Sequence, residues 1–174
     1  AHVNPNRDRQ HGRIYRVVYE GNSGETIKSL ANAKTAGLVS ALSDDNLFWR
    51  LTAQRLLVDG KKKDAAPALR KRIKSQGQGA IHALWTLEGL GELDEDSHRS
   101  ALVSPDPALR RNAIRSLGTD ATSTQLLFDS ATMTDKDSQV RLAAFVKMGQ
   151  QLDKATIKKT ATFLMEKAEN AKDE

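Results

Sequence analysis

The chain has 174 residues, long enough for one domain with its own apolar core, and only 5% of its side chains are aromatic against 39% hydrophobic. Its 27 basic and 22 acidic side chains leave a formal charge of +5, an excess that permits an acidic partner without demanding one. The absence of cysteine excludes disulfides, thiolate metal sites, thiol catalysis and covalent haem attachment by paired cysteines, and no apolar run approaches the roughly 18 residues of a membrane span.

The chain opens at Ala1 with no initiator Met and no signal peptide, and it is expected to be a piece of something longer. Residues 1–12 are polar, and Asn4-Pro5 marks a loop. Arg13 to Glu20 is predicted to be a strand, because Ile14, Tyr15, Val17, Val18 and Tyr19 are β-branched or aromatic and Gly12 and Gly21 bracket them. A lone strand cannot satisfy its own backbone. It either belonged to a sheet outside this chain or lies on the first helices as an extended arm. The turn at Gly21–Gly24 therefore divides an arm, residues 1–24, from a helical region, residues 25–174.

From Glu25 onward the apolar spacing is helical. Ile27, Leu30, Leu38, Val39 and Leu42 belong to an opening segment, with a possible break at Ala31–Lys34. Asn46 is placed to cap a long helix carrying Leu47, Trp49, Ala53, Leu56, Leu57 and Val58, which ends at Asp59-Gly60. Lys61–Lys63 form a loop. Asp64 is expected to cap a short helix with Ala68, Leu69 and Ile73, and Gln76–Gly79 a loop before the apolar helix AIHALWTLEGL, which should lie near the centre of the packing. A short helix follows over Asp94–Val103. Asp106 and Pro107 then give an N-cap and a first helical position, with Leu109, Ala113, Ile114 and Leu117 facing inward and Gly118 ending the helix. Thr122–Met133 is a further helix. Asp137 caps the next, in which Val140, Leu142, Ala143, Phe145, Val146 and Met148 leave one face for Arg141 and Lys147. A final helix, about Lys154 to Asn170, carries Ile157, Phe163 and Leu164 on one side and lysines on the other, as suits a terminal cap.

Within this series one pattern returns: Arg50/Ala53/Leu57, Ala80/Ala83/Leu87, Arg110/Ala113/Leu117 and Arg141/Ala144/Met148, at steps of 30, 30 and 31 residues. Offsets of three and four share a helix face, so each copy is one amphipathic helix. Steps of this length hold two helices, and their recurrence predicts an all-α fold, a right-handed α-solenoid in which stacked helix pairs cover one another's apolar stripes. The pairs Asn46/Arg50, Asp106/Arg110 and Asp137/Arg141 share a four-residue spacing. The acid or amide should cap its own helix and reach the Arg of a neighbouring repeat.

The turn Asp, the Arg four on and the Ala three further on resemble short HEAT repeats, over roughly Ala33 to Gln150. A second resemblance rests on NPNRDRQHGRIYRVVYEG at Asn4–Gly21, NLFWRLTAQRLLVDG at Asn46–Gly60 and ALWTLEGLG at Ala83–Gly91. These stretches are similar to a class of large bacterial proteins, abundant in planctomycetes, verrucomicrobia and Bacteroidetes. Its members resemble sugar (sorbosone/glucose) dehydrogenases: a β-propeller, then HEAT repeats and often a cytochrome c domain. The resemblance implies that HGRIYRV is the closing propeller strand, that the rest is the HEAT segment downstream, and that the location is periplasmic or otherwise extracytoplasmic. It places no catalytic residue and no cofactor on this chain.

Candidate sites are sparse. Trp49 and Trp85 are the largest side chains; an aromatic platform for a ligand is the functional reading, and packing between repeats the stronger one. None of His2, His11, His82 and His98 forms a His-x3-His pair. His98, four residues after Asp94, is expected to be a surface ion pair and His82 a satisfied structural histidine. Glu92–Asp96 lacks the Gly-anchored pattern of a calcium loop. Basic groups fall in zones, of which Arg70, Arg72 and Lys74 with Arg110, Arg111 and Arg115 could share a face and follow a phosphate backbone, although solvated helix surface is the stronger reading.

The expected function is that of a non-catalytic interaction or scaffold module, binding a protein partner or the propeller and cytochrome c domains of its parent. A HEAT-like nucleic-acid-binding module with a basic concave face is the alternative. A bilin-lyase reading rests on the fold alone.

Overall fold

The computed structural model describes residues 20–21 and 28–150. The strand expected over Arg13–Glu20, apart from Glu20 in a turn with Gly21, and the helix expected near 154–170 lie outside the described residues. Within them the protein is all-helical: α1 (Thr35–Ala41), α2 (Leu47–Asp59), α3 (Ala66–Ile73), α4 (Gln78–Leu90), α5 (Glu95–Leu102), α6 (Pro107–Ser116), α7 (Ala121–Asp129) and α8 (Ser138–Gln150). Short 3-10 turns at Lys63–Ala65 and Thr132–Thr134 precede α3 and α8.

Helix starts follow their caps. Asn46 Oδ1 accepts from the Phe48 amide, Asp94 Oδ1 from Ser97, Asp106 Oδ1 from Ala108, Asp120 Oδ1 from Ser123 and Asp137 Oδ1 from Val140. Each satisfies a backbone donor that the helix itself leaves open, worth about 1 kcal/mol. Asp64 does not act this way. It lies inside the 3-10 turn, and α3 begins without a side-chain cap, with Pro67 in its first turn. The opening segment is helical only from Thr35, after a turn at Ala31–Asn32. The Gln76–Gly79 loop is shorter than the sequence suggests, because Gln78 and Gly79 already belong to α4. That helix ends in a Schellman pair: Gly91 N–H donates to Glu88 O and Glu92 N–H to Leu87 O, both at 2.9 Å. Gly91 supplies the left-handed φ of 67° that this ending needs.

The helices pack in pairs, α1 on α2, α3 on α4, α5 on α6 and α7 on α8. The long partners also touch in succession, α2 to α4, α4 to α6 and α6 to α8, and among the short ones α3 meets α5. The result is two layers with the core between them. Ala53, Ala83, Ala113 and Ala144 are all fully buried, one on each long helix, so the same small residue sits at each contact and lets the helices approach. One turn on, Leu57, Leu87, Leu117 and Met148 are buried as well. α4 touches α2, α3 and α6, as its apolar sequence leads one to expect. Its first turn lies against the α1–α2 corner: a Cβ at Gly79 would collide with Ser43 Oγ and come within 3.1 Å of Ser43 Cβ.

α8 departs from its sequence pattern. Arg141, assigned to the polar face, is buried, whereas Leu142 and Val146 are 55% and 56% exposed. A guanidinium goes inward only where carbonyls or carboxylates meet its donors, and those partners are supplied by the turn before the helix.

Candidate functional site

That turn has a repeated construction. Six residues before Arg50, Arg110 and Arg141 stand Asp44, Ser104 and Asp135. Each folds its side chain over the chain, accepting from the amide two residues on: Asn46 N–H to Asp44 Oδ1, Asp106 N–H to Ser104 Oγ and Asp137 N–H to Asp135 Oδ1. This turn aims its own carbonyl at the arginine. Arg50 Nη1 donates to Asp44 O at 2.6 Å, Arg110 Nη1 to Ser104 O at 2.7 Å and Arg141 Nη1 to Asp135 O at 2.6 Å. Asp45 O and Pro105 O take second bonds from Arg50 and Arg110.

The remaining donors reach the next repeat. Arg110 Nε and Nη2 each lie 2.7 Å from one oxygen of Asp135, a bidentate pair in which both side chains are more than 90% buried. Asp135 thus joins two repeats, its carboxylate on Arg110 and its carbonyl on Arg141. Burial alone would push its carboxyl up, but the hydrogen bonds from Arg110 and the Asp137 amide outweigh it and hold the group below the usual 3.8. The expected cross-repeat contact therefore exists, but it is made by the residue two before the N-cap. Asp106 and Asp137 cap their own helices. At the second repeat, where Ala80 replaces the arginine, Arg70 provides the link to the following turn: Nη2 donates to Glu92 O, and Nε lies 2.5 Å from Asp94 Oδ2 in an ionic contact lacking hydrogen-bond geometry.

Both described histidines are interior fittings. His82 Nε2 receives Arg50 Nε at 3.3 Å, and its Nδ1 lies 2.8 Å from Gln54 Oε1. Burial first, and then the Arg50 charge, push its pKa down. His98 is not the surface ion pair expected from Asp94. It is buried, with Nε2 2.7 Å from Ala113 O and 3.3 Å from Ser116 Oγ. Burial lowers its pKa, against the pull of the Ala113 carbonyl and of Asp120 and together with the Lys147 charge. The unfolded chain therefore takes up a proton at a higher pH than the folded one, and stability must fall as pH drops through about 6.5. Urea midpoints measured between about pH 7.5 and 5 should fall, with a shallower fall in His98→Gln; an equal slope in the variant would refute the assignment.

The two tryptophans differ in their contacts. Trp85 is half-buried and its Nε1 donates to Asn112 Oδ1 at 2.9 Å, linking α4 to α6. Trp49 meets Phe48 edge-on, ring centroids 4.9 Å apart. The basic candidates divide. Arg70, Arg72 and Lys74 belong to α3 and its end, in the short-helix layer, and Arg110, Arg111 and Arg115 to α6 in the long-helix layer. Arg110 belongs to the interior network, leaving Arg111 half-buried and Arg115 exposed. Among the described residues no three His, Asp or Glu side chains are grouped to hold a metal ion, and no helix is long and apolar enough to cross a membrane. No family model matches the chain, and no curated protein matches it.

The sequence pattern marked the arginines but not their partners. A signal was present: Asp44, Ser104 and Asp135 recur at the same step as the arginines. Their role is invisible while attention stays on the apolar stripe.

Proposed function

We propose that the chain is a non-catalytic docking module, a right-handed solenoid of short HEAT-like repeats, within a larger sorbosone/glucose-dehydrogenase-like protein outside the cytoplasm. What supports this reading most is the repeated register of α2, α4, α6 and α8. The same positions are buried on each, so the helices present matching rows of side chains on the side away from the short-helix layer. Rows built at a fixed step by rigid, mutually packed helices suit recognition of an extended partner. Residues outside the rows, above all Arg110 and Asp135, are occupied in holding neighbouring repeats together. A nucleic-acid grip would need a continuous track of free cations, and here Arg110 is turned inward while Arg70 is paired to Asp94 across repeats.

The test separates binding from chemistry. The isolated chain is expected to bind the propeller or cytochrome c domain of its parent, produced separately, as a defined complex in light scattering. It should oxidise neither glucose nor sorbosone with an artificial electron acceptor. Turnover by the chain alone, or failure to bind either domain, overturns the proposal.

A further inference from the structure

The outward rows are chemically lopsided. Numbering from the repeat positions at 50, 80, 110 and 141, the first residue after each is Leu51, Ile81, Arg111 and Leu142, and the fifth is Arg55, Trp85, Arg115 and Val146. Offsets of one and five lie close together on a helix, opposite the buried residues at three and seven. Every one of these eight side chains is exposed or half-exposed. Leu51 stays half-exposed although α4 packs beside its helix, so exposure here belongs to the row itself.

Charge is more uneven still. α6 and α8 contain Arg110, Arg111, Arg115, Arg141 and Lys147 and not one Asp or Glu. Among the described residues after Gly91 the acids lie in the turns and on α5 and α7: Asp94 and Asp120 cap helices, Asp135 meets the buried Arg110, and Glu95 pairs with the exposed Arg99. Arg111 and Arg115 have no ion pair or hydrogen bond among the described residues, in contrast with Arg50, Arg110 and Arg141. Between α6 and α8 a groove of about 230 Å³ is lined by Arg115, Leu142, Val146 and Lys147 among others, with no acidic side chain in its wall. Leaving apolar side chains and unneutralised guanidinium groups side by side in water gives a partner both apolar area and charge to satisfy.

Resting on the docking-module reading, we infer that the outward face of α4, α6 and α8 receives an acidic amphipathic segment of a partner protein. Its apolar side chains lie on Ile81, Trp85, Leu142 and Val146, and its carboxylates meet Arg111 and Arg115. A second copy of this chain fits poorly, because it would bring the same cations against themselves. Residues 151–174, with lysines at 154, 158, 159, 167 and 172, bring as many positive as negative side chains to a face that needs carboxylates.

The experiment uses the full chain and a fluorescein-labelled helical peptide of about five turns with Leu on one face and Glu on the other. Anisotropy should report saturable binding that weakens as salt rises from about 50 to 300 mM. It should be absent for peptides with Lys in place of Glu or Gln in place of Leu. Reversing both cations, Arg111→Glu with Arg115→Glu, should raise Kd at least about tenfold, as should Leu142→Ser with Val146→Ser. Reversing two exposed lysines away from this face, Lys62→Glu in the turn before α3 with Lys71→Glu on α3, changes net charge equally and should leave Kd unaltered. Circular dichroism establishes that each variant folds. Failure of the Leu/Glu peptide to bind, as would follow if residues 151–174 or a second copy already covers the face, overturns the inference. So does an equal effect of both charge reversals. Either outcome alongside intact binding of the parent's domains would sink this assignment alone and leave the docking module standing.

Discussion

Asp135→Ala is expected to lower the unfolding free energy by about 3–5 kcal/mol, the range for breaking a buried ion pair from one side. The change removes two 2.7 Å charge-assisted bonds from Arg110 and the side-chain acceptor of the Asp137 amide. Arg110 keeps only the carbonyls of Ser104 and Pro105, both on Nη1, and its remaining donors face a site that is only 6% exposed. A cation in that position, with neither water nor carboxylate, is costly. Urea denaturation followed by circular dichroism gives the value. A loss under about 1 kcal/mol would mean that solvent screens the pair and that it does not bind the repeats together.

The partner experiment separates the ion pair from the packing. Arg110→Met combined with Asp135→Leu removes both charges and fills the site with apolar groups, and it should recover much of the single-variant loss. The pH dependence has a fixed sign. Because the Asp135 carboxyl titrates below its usual 3.8, its contribution is fully present above that value and disappears as pH falls through the lower, folded one. Arg50 offers the internal contrast. Its partner across the repeat is the His82 ring nitrogen, at 3.3 Å, rather than a carboxylate, so no bidentate ion pair forms there.

How much of this was legible in the residues follows from what each signal encodes. The repeat of Ala53, Ala83, Ala113 and Ala144 located the three contacts between successive long helices, because a small residue recurring at a constant step marks where one helix backbone comes close to the next. Asn46, Asp106 and Asp137 were recognisable caps, since capping is local and needs only a few neighbouring residues, whereas Asp94, read as the first helical residue, is the cap of α5. What failed was any inference that equated charge with exposure. Arg141 and His98 are buried because carbonyls wait for them, Asp135 O six residues before Arg141 and Ala113 O fifteen residues after His98, and hydropathy registers neither acceptor. The reverse error put Leu142 and Val146 inside: on an amphipathic helix with both an inward and an outward apolar row, periodicity alone does not say which row faces the core. Asp64 failed for a third reason, that a 3-10 turn intervened and the helix began with Ala66.

Two leucines on long helices make that distinction measurable. Leu87→Ala, in the last turn of α4, removes a side chain with no exposed surface and should cost about 3 kcal/mol, within the 2–5 range for such cavities. Leu142→Ala, on a residue 55% exposed, should cost no more than about 0.5 kcal/mol. The gap has a topological meaning beyond burial. α4 touches α2, α3 and α6, so a cavity in it weakens helices on both sides, and the melt should shift as one transition. Were the helices independent, only the α4 contribution would melt early and the remainder would keep its midpoint. If instead Leu142→Ala proved as costly as Leu87→Ala, the outward row would be part of a buried contact, and both the orientation of α8 and the docking face built on it would have to be abandoned.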